Sequence, residues 1–213
     1  MLISLIGMSG SGKSYWSEKL ARHGFRRFCL DALITQKLSD RLRREDQSPL
    51  TLGEWMGFPF QDGYQEREEL YLSCEKHLMA EILDWLDENA CVGSEANVVL
   101  DTTGSVIYTG DNLLKRLRSL TTIVYFTVPA VIREAMLRQY LSNPRPVLWR
   151  GIFNIEPGET VEEALLRSYN ALLDWREAVY RQLACVEIDY FIRNSPDFRI
   201  SDFLEIVAHA VKK

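Results

Sequence analysis

Residues 2–6, Leu-Ile-Ser-Leu-Ile, run directly into Gly7-Met8-Ser9-Gly10-Ser11-Gly12-Lys13-Ser14. The apolar run is far shorter than a signal core (~7–15 residues) or a membrane helix (~20), so it reads as a buried strand entering a loop. The loop fits G-x-x-x-x-G-K-[ST]. Its glycines let successive backbone N–H groups converge on an anion, which Cβ-bearing residues resist. Lys13 adds a positive charge for the β- and γ-phosphates and the Ser14 hydroxyl suits magnesium (Mg²⁺), while the following helix presents its positive end. The expectation is a nucleoside-triphosphate loop, with Gly7, Ser9, Gly10, Ser11, Gly12, Lys13, Ser14 and the adjoining Tyr15 binding the nucleotide.

Beyond the loop, short apolar runs alternate with helical patterns. A helix is expected from Lys13 to Arg22, a second strand over 25–30, and a helix over 31–44 that ends in Arg41-Leu42-Arg43-Arg44-Glu45-Asp46. Residues 47–63 hold Pro49, Gly53, Gly57, Pro59 and Gly63 and read as irregular. Tyr71, Cys74, Leu78, Ile82, Trp85 and Leu86 then step by three and four, the spacing of a long amphipathic helix. Strands follow at 97–101, 122–128 and 186–189, with helices at about 113–120, 130–141 and 201–211. A further irregular stretch covers 142–158, and Thr160 with Glu163 forms a capping box for a helix reaching Leu183. Strands separated by helices predict an α/β fold whose parallel sheet is covered on both faces.

The length, 213 residues, suits a single domain over 1–213 with a core that needs no staples. Formal net charge is −5, which argues against nucleic-acid binding driven by global basic charge. Cys29, Cys74, Cys91 and Cys185 are widely spaced and read as reduced, buried thiols, so a soluble cytoplasmic protein is expected. His23, His77 and His209 show no metal-binding spacing.

Asp101 ends the apolar run Val98-Val99-Leu100, either as a carboxylate that helps hold Mg²⁺ or as the cap of a turn. Thr103, Gly104 and Ser105 follow, where a parallel strand opens toward a binding crevice. Together with Asp31 after the second strand and Arg145-Pro146-Val147-Leu148, these features resemble shikimate kinase and its small-molecule kinase relatives, in order and spacing, from residue 2 to about 205. The resemblance implies a three-layer P-loop NTPase fold with a five-stranded parallel sheet, a substrate-binding segment at 47–75 and a lid at 142–158. It implies ATP and Mg²⁺ as cofactors and a small hydroxylated acceptor. Asp31 matches the carboxylate that meets the acceptor hydroxyl, Arg145 the lid arginine, and Arg138 an arginine lining adenine, although Arg138 also reads as a solvated helix residue. Thr103, Gly104 and Ser105 fall at acceptor-binding positions.

The pattern departs from that family at several positions. Cys29-Leu30-Asp31 keeps one of two carboxylates, and two acceptor-binding arginines fall on Leu72 and Asn170, with Arg67 and Arg167 nearby in sequence. Arginine forks are the natural partners of a carboxylate, so the acceptor is expected to differ from shikimate. Trp55, Met56, Phe58 and Phe60 form an apolar cluster that either anchors its segment or walls the acceptor pocket. The leading expectation is a P-loop kinase with Lys13, Asp31 and Arg145 as its catalytic residues, acting as a monomer or homodimer without membrane or nucleic-acid partners. The alternatives are a nucleoside or nucleotide kinase, with those aromatics stacked on a base, and a regulatory nucleotide binder without efficient transfer.

Overall fold

A computed structural model describes residues 1–91 and 97–211, without the side chains of residues 90, 91 and 211. The expected buried thiol of Cys91 therefore lies outside the described residues. The strands are β1 (Leu2–Ile6), β2 (Arg26–Cys29), β3 (Val98–Asp101), β4 (Thr122–Phe126) and β5 (Val186–Ile188). The helices are α1 (Lys13–Arg22), α2 (Leu30–Lys37), α3 (Leu52–Met56), α4 (Tyr64–Cys91), α5 (Asp111–Leu120), α6 (Ala130–Ser142), α7 (Val161–Leu183), α8 (Tyr190–Arg193) and α9 (Ile200–Val211).

All strand pairs are parallel, in the order β2-β3-β1-β4-β5. Strand residues point alternately to opposite faces, so one sheet feeds two cores. Ile3 and Leu5 of β1 pack with Trp16 and Leu20 of α1 and with Phe203 and Val207 of α9. Ile6 turns the other way, into the larger core that α2, α4, α5, α6 and α7 supply. Trp16 stacks on Phe203 with ring centroids 5.3 Å apart, which ties α1 to α9 across the end of one layer. The result is the expected α/β/α sandwich.

The connections create the site. From β1 the chain builds β2 and then β3 on one side, and afterwards crosses to β4 on the other. A crevice opens at the carboxyl ends of the strands where this order reverses. The glycine loop leaves the end of β1 there, and Asp101, in register with Leu5 and Cys29, ends the neighbouring β3.

Three local expectations need correction. The helix expected over 31–44 stops at Lys37, and residues 43–49 form a tight antiparallel turn. Arg44 is spent on that turn: its backbone N–H donates to Ser48 O (2.9 Å) and its guanidinium to Pro49 O (3.0 Å). The segment at 47–63 is not wholly irregular, because α3 forms within it under a Thr51–Glu54 capping box. Nor are the thiols buried as a class: Cys29 and Cys74 are half-buried and Cys185 is exposed. The Thr160–Glu163 capping box forms as expected and starts α7.

Candidate active site

Gly10 and Gly12 hold φ values of 83° and 94°, which residues with a Cβ rarely adopt, and they bend the loop into a cradle at the start of α1. Lys13 is buried, and its ammonium folds back to donate to the carbonyls of Gly7 (2.8 Å) and Met8 (3.0 Å). Burial pushes its pKa below the ordinary value, an effect opposed by the carboxylates of Asp101 and Asp31. Arg193, after β5, braces the loop from behind: its Nε and Nη2 donate to Ser11 O at 3.2 and 3.0 Å. Gly104 closes in from the β3 side, where a Cβ would come within 3.1 Å of the Ser9 nitrogen.

A cleft of about 580 Å³ opens over this loop, within the range of ligand sites. It is lined by Ser9, Gly10, Gly12, Lys13, Ser14 and Tyr15 of the loop and helix start, and by Asp31, Thr35, Thr51, Leu52 and Gly53. Arg145 enters between its two prolines, with Nη1 3.3 Å from where a Cβ on Gly10 would stand. Among the described residues Arg145 has no ion-pair partner, so its charge is free for a ligand in the cleft.

Asp31 sits at the start of α2, exposed to the cleft. Partial loss of solvation raises its carboxyl above the usual range, against the pull of Lys13 and of the Tyr71 hydroxyl, which donates to Oδ1 at 3.1 Å. Asp101 is buried, and both of its hydrogen bonds fall on Oδ2, from Arg27 Nη2 (2.9 Å) and Ser17 Oγ (3.0 Å). Oδ1 has no protein partner among the described residues. The Ser14 hydroxyl faces the open cleft. No group of three His, Cys, Asp or Glu able to cage a metal occurs among the described residues. Ser14 lines the cleft and Asp101 does not; their oxygens are of the kind Mg²⁺ accepts, one or two from protein together with substrate phosphates.

Other expected site residues are placed elsewhere. Arg138 is 76% exposed and pairs with Glu134 on the outer face of α6; its neighbour Gln139, not Arg138, lines the cleft. Of the 103–105 turn only Gly104 reaches the cleft, because Thr103 and Ser105 are buried and donate their hydroxyls to Glu75. Phe58 and Phe60 stack on each other, Phe58 meets Tyr140 at 5.2 Å, and Met56 is buried, so the aromatic cluster anchors its segment. None of Trp55, Met56, Phe58 and Phe60 lines the cleft. Leu72 is buried in the core and Asn170 is exposed. Arg67 is spent on the carbonyls of Met56 and Asp62, and Arg167 on Glu159 and Asn154.

Two buried charges beneath the cleft escaped the sequence reading. Glu75 of α4 is fully buried, and loss of solvent lifts its carboxyl to about 7 despite the hydroxyls of Ser105 and Thr103. Arg176 of α7 is also buried; Nη2 donates to Leu148 O (2.6 Å), while Nη1 lies near Gly104 without a partner among the described residues. The signal was present in the helical spacing. Arg176 falls on the apolar stripe of Leu165, Tyr169, Leu172, Leu173 and Tyr180, and Glu75 on that of Leu72, Leu78 and Met79.

No protein-family model and no curated protein sequence matches the chain. Solved structures do. The shikimate kinase of Acinetobacter baumannii in complex with shikimate aligns over 99% of this chain and 93% of its own, with TM-score 0.55 and 21% identity. A shikimate kinase from Bacteroides thetaiotaomicron aligns over the same shares, with TM-score 0.56 and 18% identity. The five-stranded parallel sheet, its flanking helices and the loop after β1 are thus those of the shikimate kinase-like P-loop fold.

Proposed function

We propose that this protein transfers the γ-phosphate of Mg-ATP to a hydroxyl of a small acceptor. One observation carries the reading: a single cleft is lined by the loop lysine, by Arg145, which has no ion-pair partner among the described residues, and by the carboxylate of Asp31. Phosphoryl transfer needs little else beyond positioning and charge stabilisation.

In this reading the loop N–H groups and Lys13 hold the β- and γ-phosphates, and Arg145 meets the charge that spreads over the moving phosphoryl group. Ser14 and Asp101 would hold Mg²⁺, which would supply positive charge against the phosphates. Asp31, fixed by Tyr71, orients the acceptor hydroxyl and takes its proton as the acceptor oxygen bonds to the γ-phosphorus and the bond to the ADP oxygen breaks. Tyr15, beside the loop, borders the nucleotide.

The acceptor meets Asp31, Thr35, Thr51, Leu52 and backbone at Gly53 and Gly104, all of which line the cleft. The cations lining the cleft, Lys13 and Arg145, serve the phosphates in this reading. We therefore read the acceptor as a hydroxylated metabolite other than the shikimate bound by the Acinetobacter enzyme. The aromatic residues that a stacked nucleoside would use are committed to packing, which disfavours a nucleoside acceptor.

The test is ADP release from Mg-ATP against a panel of hydroxylated acids (shikimate included), sugars and nucleosides, with Lys13→Ala as the blank. Acceptor-stimulated release above the blank supports the kinase reading and gives the acceptor class. Tight ATP binding with turnover equal to the blank for every acceptor and for water would replace it with the regulatory reading.

A further inference from the structure

Gly53 occupies the second position of α3, within a helix that its own Thr51–Glu54 box already starts. Its φ lies outside the left-handed region, so its backbone conformation is open to any residue. Glycine weakens a helix relative to alanine, and nothing local calls for it here. The reason lies across the cleft. A Cβ on Gly53 would stand 1.8 Å from the Pro144 carbonyl oxygen, 2.3 Å from its carbon and 2.8 Å from the Arg145 Cα. These are backbone atoms and cannot swing aside as a side-chain tip would. Pro144 and Pro146 stiffen the strip on either side of Arg145, so a displacement at Pro144 is passed to the arginine.

α3 is itself held in place. Glu54 pairs with Arg44 (2.6 Å), and the carbonyl of Met56 accepts from Arg67 Nε (3.0 Å). The Pro144–Arg145 backbone therefore rests against α3, and the missing side chain sets how closely it approaches. From there the Arg145 guanidinium lies beside Gly10 of the phosphate loop.

We propose that Gly53 is a positioning residue: by admitting the Pro144 carbonyl into van der Waals contact with α3, it sets the reach of Arg145 to the phosphate loop. This inference rests on the reading of Arg145 as the residue that meets the transferred phosphoryl group.

The experiment compares wild type, Gly53→Ala, Arg145→Ala and the double variant, using Mg-ATP with water as the acceptor. kcat and KM are read from ADP release, ADP affinity from calorimetry, and the integrity of the fold from the thermal midpoint. Alanine favours α3, so the helix persists. Gly53→Ala is expected to lower kcat at least tenfold, to within about threefold of Arg145→Ala, while ADP affinity stays within twofold. The double variant is expected to be no slower than Arg145→Ala, because two changes acting through one group do not add. Loss in Arg145→Ala with wild-type turnover in Gly53→Ala overturns this inference and leaves the kinase reading standing. A double variant slowed by the product of the single effects overturns it as well. Wild-type turnover in Arg145→Ala overturns both this inference and the role of Arg145 beneath it.

Discussion

Replacing Glu75 by glutamine should stabilise the protein relative to wild type as the pH rises. Glu75 is fully buried and its two oxygens are met by the neutral hydroxyls of Thr103 and Ser105 rather than by a cation. Arg176, the nearest opposing charge, directs Nη2 to the Leu148 carbonyl. Two hydroxyl donors do not replace lost hydration, so the carboxyl that ordinarily titrates at 4.5 is lifted to about 7. Between those values the folded chain keeps a proton that the unfolded chain has released. Stability therefore falls with rising pH across that window; the penalty is absent below the lower value and complete above the upper one. A shift from 4.5 to about 7 corresponds to about 3 kcal/mol. Glutamine offers one acceptor and one donor group to the same two hydroxyls and does not titrate. Urea unfolding of both proteins at pH 5, 6, 7 and 8 reads the difference directly. The variant should gain more than ~2 kcal/mol on wild type between pH 5 and pH 8, since part of the penalty is already present at pH 5, and most of the gain should come before pH 7.5. Asp31, also raised, is common to both proteins and cancels to first order. A stability difference that stays flat with pH, or that moves in wild type's favour, would refute the claim that Glu75 is buried without adequate compensation.

Asp31→Asn removes the proposed proton acceptor but keeps a partner for Tyr71, so kcat should drop at least a hundredfold while calorimetry finds ATP affinity unchanged; equal loss of both would make Asp31 structural. Asp101→Asn should raise the magnesium concentration for half-maximal turnover about tenfold, and an unchanged magnesium titration would reduce Asp101 to a bracket for Arg27 and Ser17. Thr160→Ala deletes the α7 capping box and should cost about 1 kcal/mol in urea unfolding, with turnover unchanged if α7 is affected only at its first turn.

Some of this molecule is written in short stretches of sequence. An apolar run, a glycine loop and a helical period each need only a handful of neighbouring residues, and the five strands, α1 and the long span of α7 follow from them. The capping box at Thr160 was legible for the same reason. The equivalent box at Thr51 was obscured by the surrounding glycines and prolines, which mark α3 as a helix inside a turn-rich segment. Beyond the early end of α2, Arg44 reaches Pro49 and Glu54 in the following turn, contacts that helical periodicity does not reveal.

The sequence alone determined that a strand of a parallel α/β sheet runs into a glycine loop and a helix, because local backbone preference and hydrophobic period are properties of adjacent residues. Lys13 and Ser14 could be named on that basis. Tertiary structure decided which charged side chains face the cleft. Arg138 and Arg145 are seven positions apart, yet one pairs with Glu134 in solvent and the other lines the cleft. Thr103 and Gly104 are adjacent, but only the glycine lines the cleft. Gly53 reads as a turn residue until Pro144 is brought against it. The cost of a charge and the use of a missing side chain depend on what packs around them, and those neighbours come from elements distant in the chain.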